Sequence, residues 1–328
     1  MQKQRIVSGM RPTGRLHIGH YHGVLENWVR LQDRFDCFFF VADWHSLTTE
    51  YADTTGIKNS TREMVLDWVA FGLDPQKCLV FEQSQVDQHA ELNLILGMIT
   101  PVSWLERNPT YKEMLENIEQ RDLSTFGFLG YPVLMAADII LYKAQHVPVG
   151  HDQLPHLEIT RGIARRFNHL YHCEVFPEPE ALLTETPKLL GLDGRKMSKS
   201  YGNSIYLSET ADETAAKIKG MVTDTQRIRR ADPGDPDQCV AFNLHRIYVP
   251  QEKQDEIIPA CKNASIGCVE CKKILIEHLN ERLAPFRAKR EQLSQNAGFV
   301  DDLLTEGSRR AAIEAKKTIQ DVRAALKV

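Results

Sequence analysis

Short continuous apolar runs alternate with helical stripes through the first half of the chain, and then the runs stop. Residues 5–8 read as a short buried strand, and residues 37–42 form an unbroken apolar run suited to a central parallel strand. Further strands are expected at 78–81 and 147–149. The intervening stretches have helical spacing. One places Ile18, Leu25, Trp28 and Val29 on a single face, and others cover 61–71, 91–99, 133–142 and 154–167. This alternation predicts an α/β fold with a doubly wound parallel sheet. Near residue 174 the rhythm changes. Residues 175–179 are proline-rich, 192–195 read as a turn, and helices are expected at 210–221, 266–283 and 307–326, the last with Ala312, Ala315, Ile319 and Val322 on one side. The pattern divides the chain into an α/β domain over 1–200, a helical domain over 201–305 and a C-terminal helix over 306–328 that packs back on the body.

Composition narrows the classes. With 328 residues, 42% of them hydrophobic, the chain can bury a sizeable core, and disorder is not expected. No apolar run reaches membrane-spanning length; the longer candidate, 131–142, is interrupted by Asp138. The N-terminus is polar and lacks a signal-peptide pattern, so a cytoplasmic protein without membrane attachment is expected. A net charge of −4 does not advertise nucleic acid, so any RNA contact has to be local. Arg161, Arg165 and Arg166 form one basic cluster and Arg227, Arg229 and Arg230 another; each reads equally well as a solvated face.

Two strings carry phosphate chemistry. His17-Ile18-Gly19-His20 follows the first strand, and Lys196-Met197-Ser198-Lys199-Ser200 sits in a polar loop far downstream. His17 and His20 share a face at a helix start, where free backbone N–H groups and the helix dipole favour an anion. Gly14 and Gly19 remove side chains where a nucleotide must approach the backbone. Lys196 and Lys199 are mobile point charges on a small loop opened by Gly194, able to close on a leaving pyrophosphate as charge develops there.

Asp138 stands in the otherwise apolar helix 133–142. A buried carboxylate is costly without a partner. An internal salt bridge to Arg or Lys would satisfy it, and so would a hydrogen-bond donor on a substrate, such as the single ring N–H of an indole. Met135, one turn earlier, supplies a polarizable wall for an aromatic ring. Four of the seven cysteines, Cys239, Cys261, Cys268 and Cys271, fall close together in the helical region. Four converging thiolates suit either zinc or a [4Fe–4S] cluster. Cys37, Cys78 and Cys173 are scattered and read as ordinary thiols.

In their order and spacing the two strings resemble the signatures of class I aminoacyl-tRNA synthetases. Ser8-Gly9-Met10-Arg11-Pro12-Thr13-Gly14, residues 131–139, Val147-Pro148-Val149-Gly150 and Val222-Thr223-Asp224 resemble the bacterial tryptophanyl-tRNA synthetases, and the likeness covers nearly the whole chain. It implies a Rossmann catalytic domain, a helical anticodon-binding domain and a homodimer that uses Mg²⁺-ATP, L-tryptophan and tRNA(Trp). By position, Arg11, Pro12, Thr13, Gly19 and His20 would contact ATP, together with Lys196, Met197, Ser198, Lys199 and Ser200. Gly150, His151 and Asp152 would hold the ribose and Leu189 would border the adenine; His151 stands where the family carries Glu. The likeness places Asp138 on the indole nitrogen, Tyr131 and Gln153 at the ammonium end, and His45 in the same region. His17, His20, Lys196 and Lys199 would then be catalytic. A subset of the family carries a [4Fe–4S] cluster on a similar cysteine pattern, which favours the cluster over zinc. The nearest rival, a tyrosyl-tRNA synthetase, would supply a tyrosine from the first strand, and residues 5–8 contain none. A small-molecule adenylating enzyme and a silent RNA-binding paralogue are the alternatives from other classes.

Overall fold

A computed structural model of the chain describes residues 3–109, 111, 124–183 and 189–328. The chain divides into two compact units, one made of Met1–Gly14, Glu26–Glu185 and Ala297–Val328, the other of Arg15–Leu25 and Thr186–Asn296.

The first unit is built on five parallel strands in the order β3-β2-β1-β4-β5. They are β1 (Arg5–Met10), β2 (Asp36–Val41), β3 (Cys78–Glu82), β4 (His146–Val149) and β5 (Glu180–Leu183). The central run of β2 is apolar throughout because both faces are covered. Phe39 stacks on Trp28 at 4.4 Å on one side. Phe38 faces Tyr142 at 5.0 Å on the other. Strand order reverses between β1 and β4, which opens the crevice beyond their carboxyl ends where α/β sheets bind ligands. The fifth strand was not expected. It is a short edge strand with both ends exposed, so it lacks the buried run that marks the others.

The terminal helix Phe299–Leu326 starts ahead of the expected residue 307 and lies along β3. It covers the open edge of that strand, with the Ser308 hydroxyl accepting from the Glu82 N–H at 3.2 Å. A Cβ at Gly307 would fall 1.7 Å from the Val80 carbonyl oxygen. Only glycine permits this approach, so Gly307→Ala should cost about 3 kcal/mol through forced displacement of the helix, read as a lowered denaturant midpoint.

The second unit is helical: Ala211–Gly220, Val240–Tyr248, Gln251–Lys262 and Cys268–Ser294. Thr210 and Glu213 close a capping box at the first of these. The middle pair was not anticipated from periodicity, because the helices are short and Gln251–Lys262 is largely polar. This unit begins at Thr186 rather than 201, and it takes Arg15–Leu25 from the N-terminal region. Backbone pairing explains that: the Ile18 N–H donates to Ile205 at 3.0 Å, and the Leu207 N–H donates to Leu16 at 2.9 Å. The expected single helix after β1 is also interrupted. Ile18–His20 is α-helical, Tyr21–Leu25 winds as a π-helix, and Glu26–Leu31 returns to α. Among the described residues no helix is long and apolar enough to cross a membrane.

Candidate functional site

Both signature strings belong to the second unit. His17 is the N-cap of Ile18–His20, and its Nδ1 accepts from the Gly19 N–H at 3.1 Å. His20 Nδ1 accepts in turn from the His17 N–H at 3.2 Å. The Ile18 N–H goes to Ile205, and the His20 N–H goes to the His17 carbonyl at 2.8 Å. The expectation of free amide donors for a phosphate is therefore corrected, because the opening N–H groups are already engaged. What the turn offers instead is two imidazoles. Each accepts at Nδ1, so its proton resides on Nε2, and both rings are neutral donors. Burial, aided by the nearby Lys199 charge, lowers His17 to about 4. Burial, with His17 and Lys199, holds His20 well below its ordinary value. Gly19 also makes room for the cap itself: a Cβ there would lie 2.9 Å from the His17 ring.

His17 should therefore show no inflection near the ordinary histidine value of 6.5 and should protonate only as pH falls toward about 4, with His20 likewise neutral at 6.5. The sign follows from the lowered values: the neutral rings stabilise the fold above the unfolded histidine value, and that contribution is lost as pH falls through the folded one. Ring-proton titration by NMR measures it directly.

The lysine string forms a compact loop. Met197 is buried, and its N–H donates to the Leu189 carbonyl at 3.1 Å; Leu189 is buried as well. Ser198 caps the 3₁₀ turn Lys199–Tyr201. Lys196 and Ser200 are exposed, and Lys199 is half-buried. The organiser is a residue that sequence reasoning missed. Asn203 accepts from the Ser198 N–H at 2.9 Å and donates to Asp193 at 2.7 Å and to the Lys196 carbonyl at 3.2 Å. Asn203 and Arg195 hold the Asp193 carboxyl down at about 2. An asparagine just beyond a left-handed Gly202 is a turn signal, but nothing in it announces three loop contacts.

In the first unit the carboxyl ends of four strands converge on a second set of groups. After β1, the Thr13 N–H closes a tight turn on the Arg11 carbonyl at 2.9 Å, Pro12 is buried, and Arg11 reaches Thr49. After β4, Gly150 accepts from the Gln153 N–H at 3.0 Å around the 3₁₀ turn His151–Gln153, where His151 and Asp152 are exposed. Gln153 donates its side-chain amide to Asp152 at 2.9 Å. After β2 comes His45, and after β3 comes Gln83.

The helix Phe126–Ile140 presents Tyr131, Met135 and Asp138. Asp138 is 2% exposed, and its partners are neither Arg nor Lys. Oδ1 accepts from Gln83 Nε2 at 2.7 Å and from His89 Nδ1 at 2.7 Å. Oδ2 accepts from His45 Nε2 at 2.8 Å. Burial opposes ionisation, yet His45 and His89 outweigh it and hold the carboxyl below its ordinary value. Met135 and Tyr131 are half-buried on the same helix. The Tyr131 hydroxyl pairs with Nε2 of His156, whose Nδ1 meets the Asn108 amide at 2.8 Å. Burial raises Tyr131 well above its ordinary value and lowers His156 to about 4, so both stay neutral. Gln83, His89, His156 and Tyr142 were not singled out from the sequence. Each is a lone polar residue at a buried position, and composition cannot separate such residues from ordinary core polars.

The four clustered cysteines line one small pocket of the second unit, with Arg227 and Phe242. Burial raises Cys239, Cys261 and, to about 12, Cys271, and the thiols raise one another. Among the described residues no three potential ligands converge tightly enough for a single metal ion. Arg227 is a tether: it donates to the carbonyls of Arg230 at 2.7 Å and Ile266 at 3.0 Å, and it lies 3.9 Å from Cys261 Sγ. Arg229 and Arg230 are exposed. The other basic cluster is largely neutralised. Arg161 and Arg165 share Glu178, and Arg166 donates to the Ile99 carbonyl.

Residues 1–284 match the family described as tRNA synthetases class I (W and Y). The chain belongs to this class I tRNA synthetase family. The synthetase is 52% identical to a tryptophan–tRNA ligase of Thermotoga maritima, covering 98% of each chain. It is 45% identical to the tryptophan–tRNA ligase of Aquifex aeolicus, covering 98% of this chain and 99% of that one. Among solved structures it superposes on the tryptophanyl-tRNA synthetase of Campylobacter jejuni complexed with ADP and tryptophan. The TM-score is 0.90 at 31% identity, covering 99% of this synthetase and 100% of that chain.

Proposed function

We infer that this synthetase activates L-tryptophan with ATP and transfers it to the 3′ end of tRNA(Trp). The observation that carries the reading is Asp138: a buried, ionised carboxylate at the ligand edge of the sheet, without a cationic Arg or Lys partner and with acceptor capacity left on Oδ2. An indole N–H fills that need. A phenol would instead call for a tyrosine on β1, and Arg5–Met10 has none. ATP–pyrophosphate exchange tested with each of the twenty amino acids should respond to tryptophan alone.

In the first step the tryptophan carboxylate attacks the α-phosphorus, pyrophosphate leaves and tryptophanyl-adenylate forms. In the second a hydroxyl of the terminal tRNA adenosine attacks the tryptophanyl carbonyl, the mixed-anhydride bond breaks, and AMP leaves. No side chain has to act as a base, because positioning and charge stabilisation carry such chemistry. His17 and His20 donate from Nε2 to phosphate oxygens. Lys196 and Lys199 neutralise the departing pyrophosphate, with Met197 anchoring their loop and Ser198 and Ser200 lining it. Arg11, Pro12, Thr13 and Gly19 border ATP, residues 150–152 hold the ribose, and Leu189 borders the adenine. Tyr131 and Gln153 receive the ammonium group, Met135 and His45 wall the ring, and Mg²⁺ accompanies the triphosphate. The reaction belongs in the cytoplasm, where its substrates are.

The helical unit reads the anticodon, with Arg229 and Arg230 toward RNA. Cys239, Cys261, Cys268 and Cys271 would hold a [4Fe–4S] cluster there. Their grouping around one pocket supports this, and a polynuclear cluster accepts thiolates set wider apart than a zinc ion does. When bound, the cluster supplies a staple for this surface. Its removal should lower tRNA charging more than pyrophosphate exchange; equal loss of both activities would refute the role, and iron analysis identifies the metal. The synthetase works as a homodimer. Leu94 and Met98, 62% and 76% exposed on one face of the helix Gln88–Ile99, provide an apolar surface of the kind that a second copy covers.

A further inference from the structure

His89 is fully buried on the helix Gln88–Ile99, and the roles assigned above leave it unused. One of its ring protons is placed by a hydrogen bond. An ionised carboxylate only accepts, so the bond between His89 Nδ1 and Asp138 Oδ1 at 2.7 Å requires the proton on Nδ1. His89 Nε2 pairs with the Tyr142 hydroxyl, 2.7 Å away and wholly buried. A chain of buried hydrogen bonds links Tyr142 through His89 to Asp138. Gln83 Nε2 gives the same oxygen a second bond at 2.7 Å. Oδ1 thus receives two donors and Oδ2 receives one, from His45.

We propose that His89 is a specificity-determining positioning residue: with Gln83 and Tyr142 it saturates Oδ1 of Asp138 and fixes the carboxylate so that Oδ2 meets the indole N–H. The proposal rests on the reading of Asp138 as the indole acceptor. The ring does not touch substrate. It acts by preventing the carboxylate from rotating and by keeping the acceptor direction constant. Without it, Oδ1 keeps only Gln83, and the carboxylate can turn its free capacity away from the ligand.

The test compares L-tryptophan with its benzothiophene analogue, in which sulfur replaces the ring N–H at nearly constant shape. In pyrophosphate exchange the readout is the ratio of kcat/KM for the two amino acids. His89→Leu should reduce the preference for tryptophan by about tenfold or more, the scale of a lost hydrogen bond to a charged group. His89→Asn, whose amide nitrogen can stand near the Nδ1 position, should restore most of it. Tyr142→Phe, which keeps the ring volume, should fall between, and it serves if His89→Leu does not fold. A purely structural role predicts equal losses for both amino acids and an unchanged ratio in all three variants, and that result would overturn the proposal. Asp138→Asn separates the two ideas. If it leaves the ratio unchanged, the reading of Asp138 fails; if it collapses the ratio while His89→Leu and Tyr142→Phe do not, only the role of His89 fails.

Discussion

Lys199→Ala is expected to slow tryptophanyl-adenylate formation by about 10²- to 10³-fold, the range found when one preorganised transition-state donor is removed. Tryptophan binding should change little. The side chain stands in the second unit, beside His17 and His20 and close enough that its charge depresses both imidazoles. Those rings are neutral donors, so they orient phosphate oxygens without neutralising them. Positive charge in this turn has to come from lysine. Charge on the pyrophosphate grows as the P–O bond breaks, so the lysine contact strengthens along the reaction and its loss falls on kcat. Lys196→Ala should follow the same pattern, since the Lys196 carbonyl is held by Asn203 and the exposed ammonium is carried on a fixed backbone. Single-turnover adenylation alongside equilibrium tryptophan binding checks both variants. A loss confined to tryptophan affinity would remove the lysines from the chemical step.

The parts of this molecule that could be read from its sequence are those with a local cause. The buried run of β2 announced a central strand because both of its faces are covered, and the alternation around it announced a parallel sheet. The edge strand Glu180–Leu183 was missed because half-burial leaves no such run. His17 and His20 were found as a pair, but the reason for their spacing was not. His17 caps the Gly19 N–H and His20 caps the His17 N–H, and that arrangement fixes the Nε2–H tautomers. The boundary near residue 200 was drawn where strand patterning ends. The second unit begins earlier because the chain at 205–207 pairs with 16–18, a long-range contact that periodicity cannot register. Asp138 was conspicuous as one acid in an apolar helix. Its partners, Gln83, His89 and His45, come from different elements and were not apparent until the sheet had brought them together.

Asp138→Asn should lower kcat/KM for tryptophan by about 10²- to 10³-fold, the equivalent of leaving one or two buried groups wrongly paired. Asparagine keeps the shape but turns one acceptor into a donor. If its nitrogen takes the Oδ1 position it meets the donors of Gln83 and His89. At the Oδ2 position it meets His45, and it also faces the indole N–H. Either orientation leaves donors opposed in a site that is 2% exposed, where water cannot relieve them. The carboxylate itself is available at every working pH. His45 and His89 hold it below its ordinary value of 3.8 despite burial, so its stabilising contribution is present above that value and is lost only as pH falls through the lower, folded one. Wild-type kcat/KM for tryptophan should therefore show no acid limb from this group above about pH 4, where an unperturbed aspartate would titrate. Pyrophosphate exchange over roughly pH 4.5–8 on wild type and variant measures both effects. An Asp138→Asn enzyme that keeps wild-type kcat/KM for tryptophan would mean that the indole is recognised elsewhere.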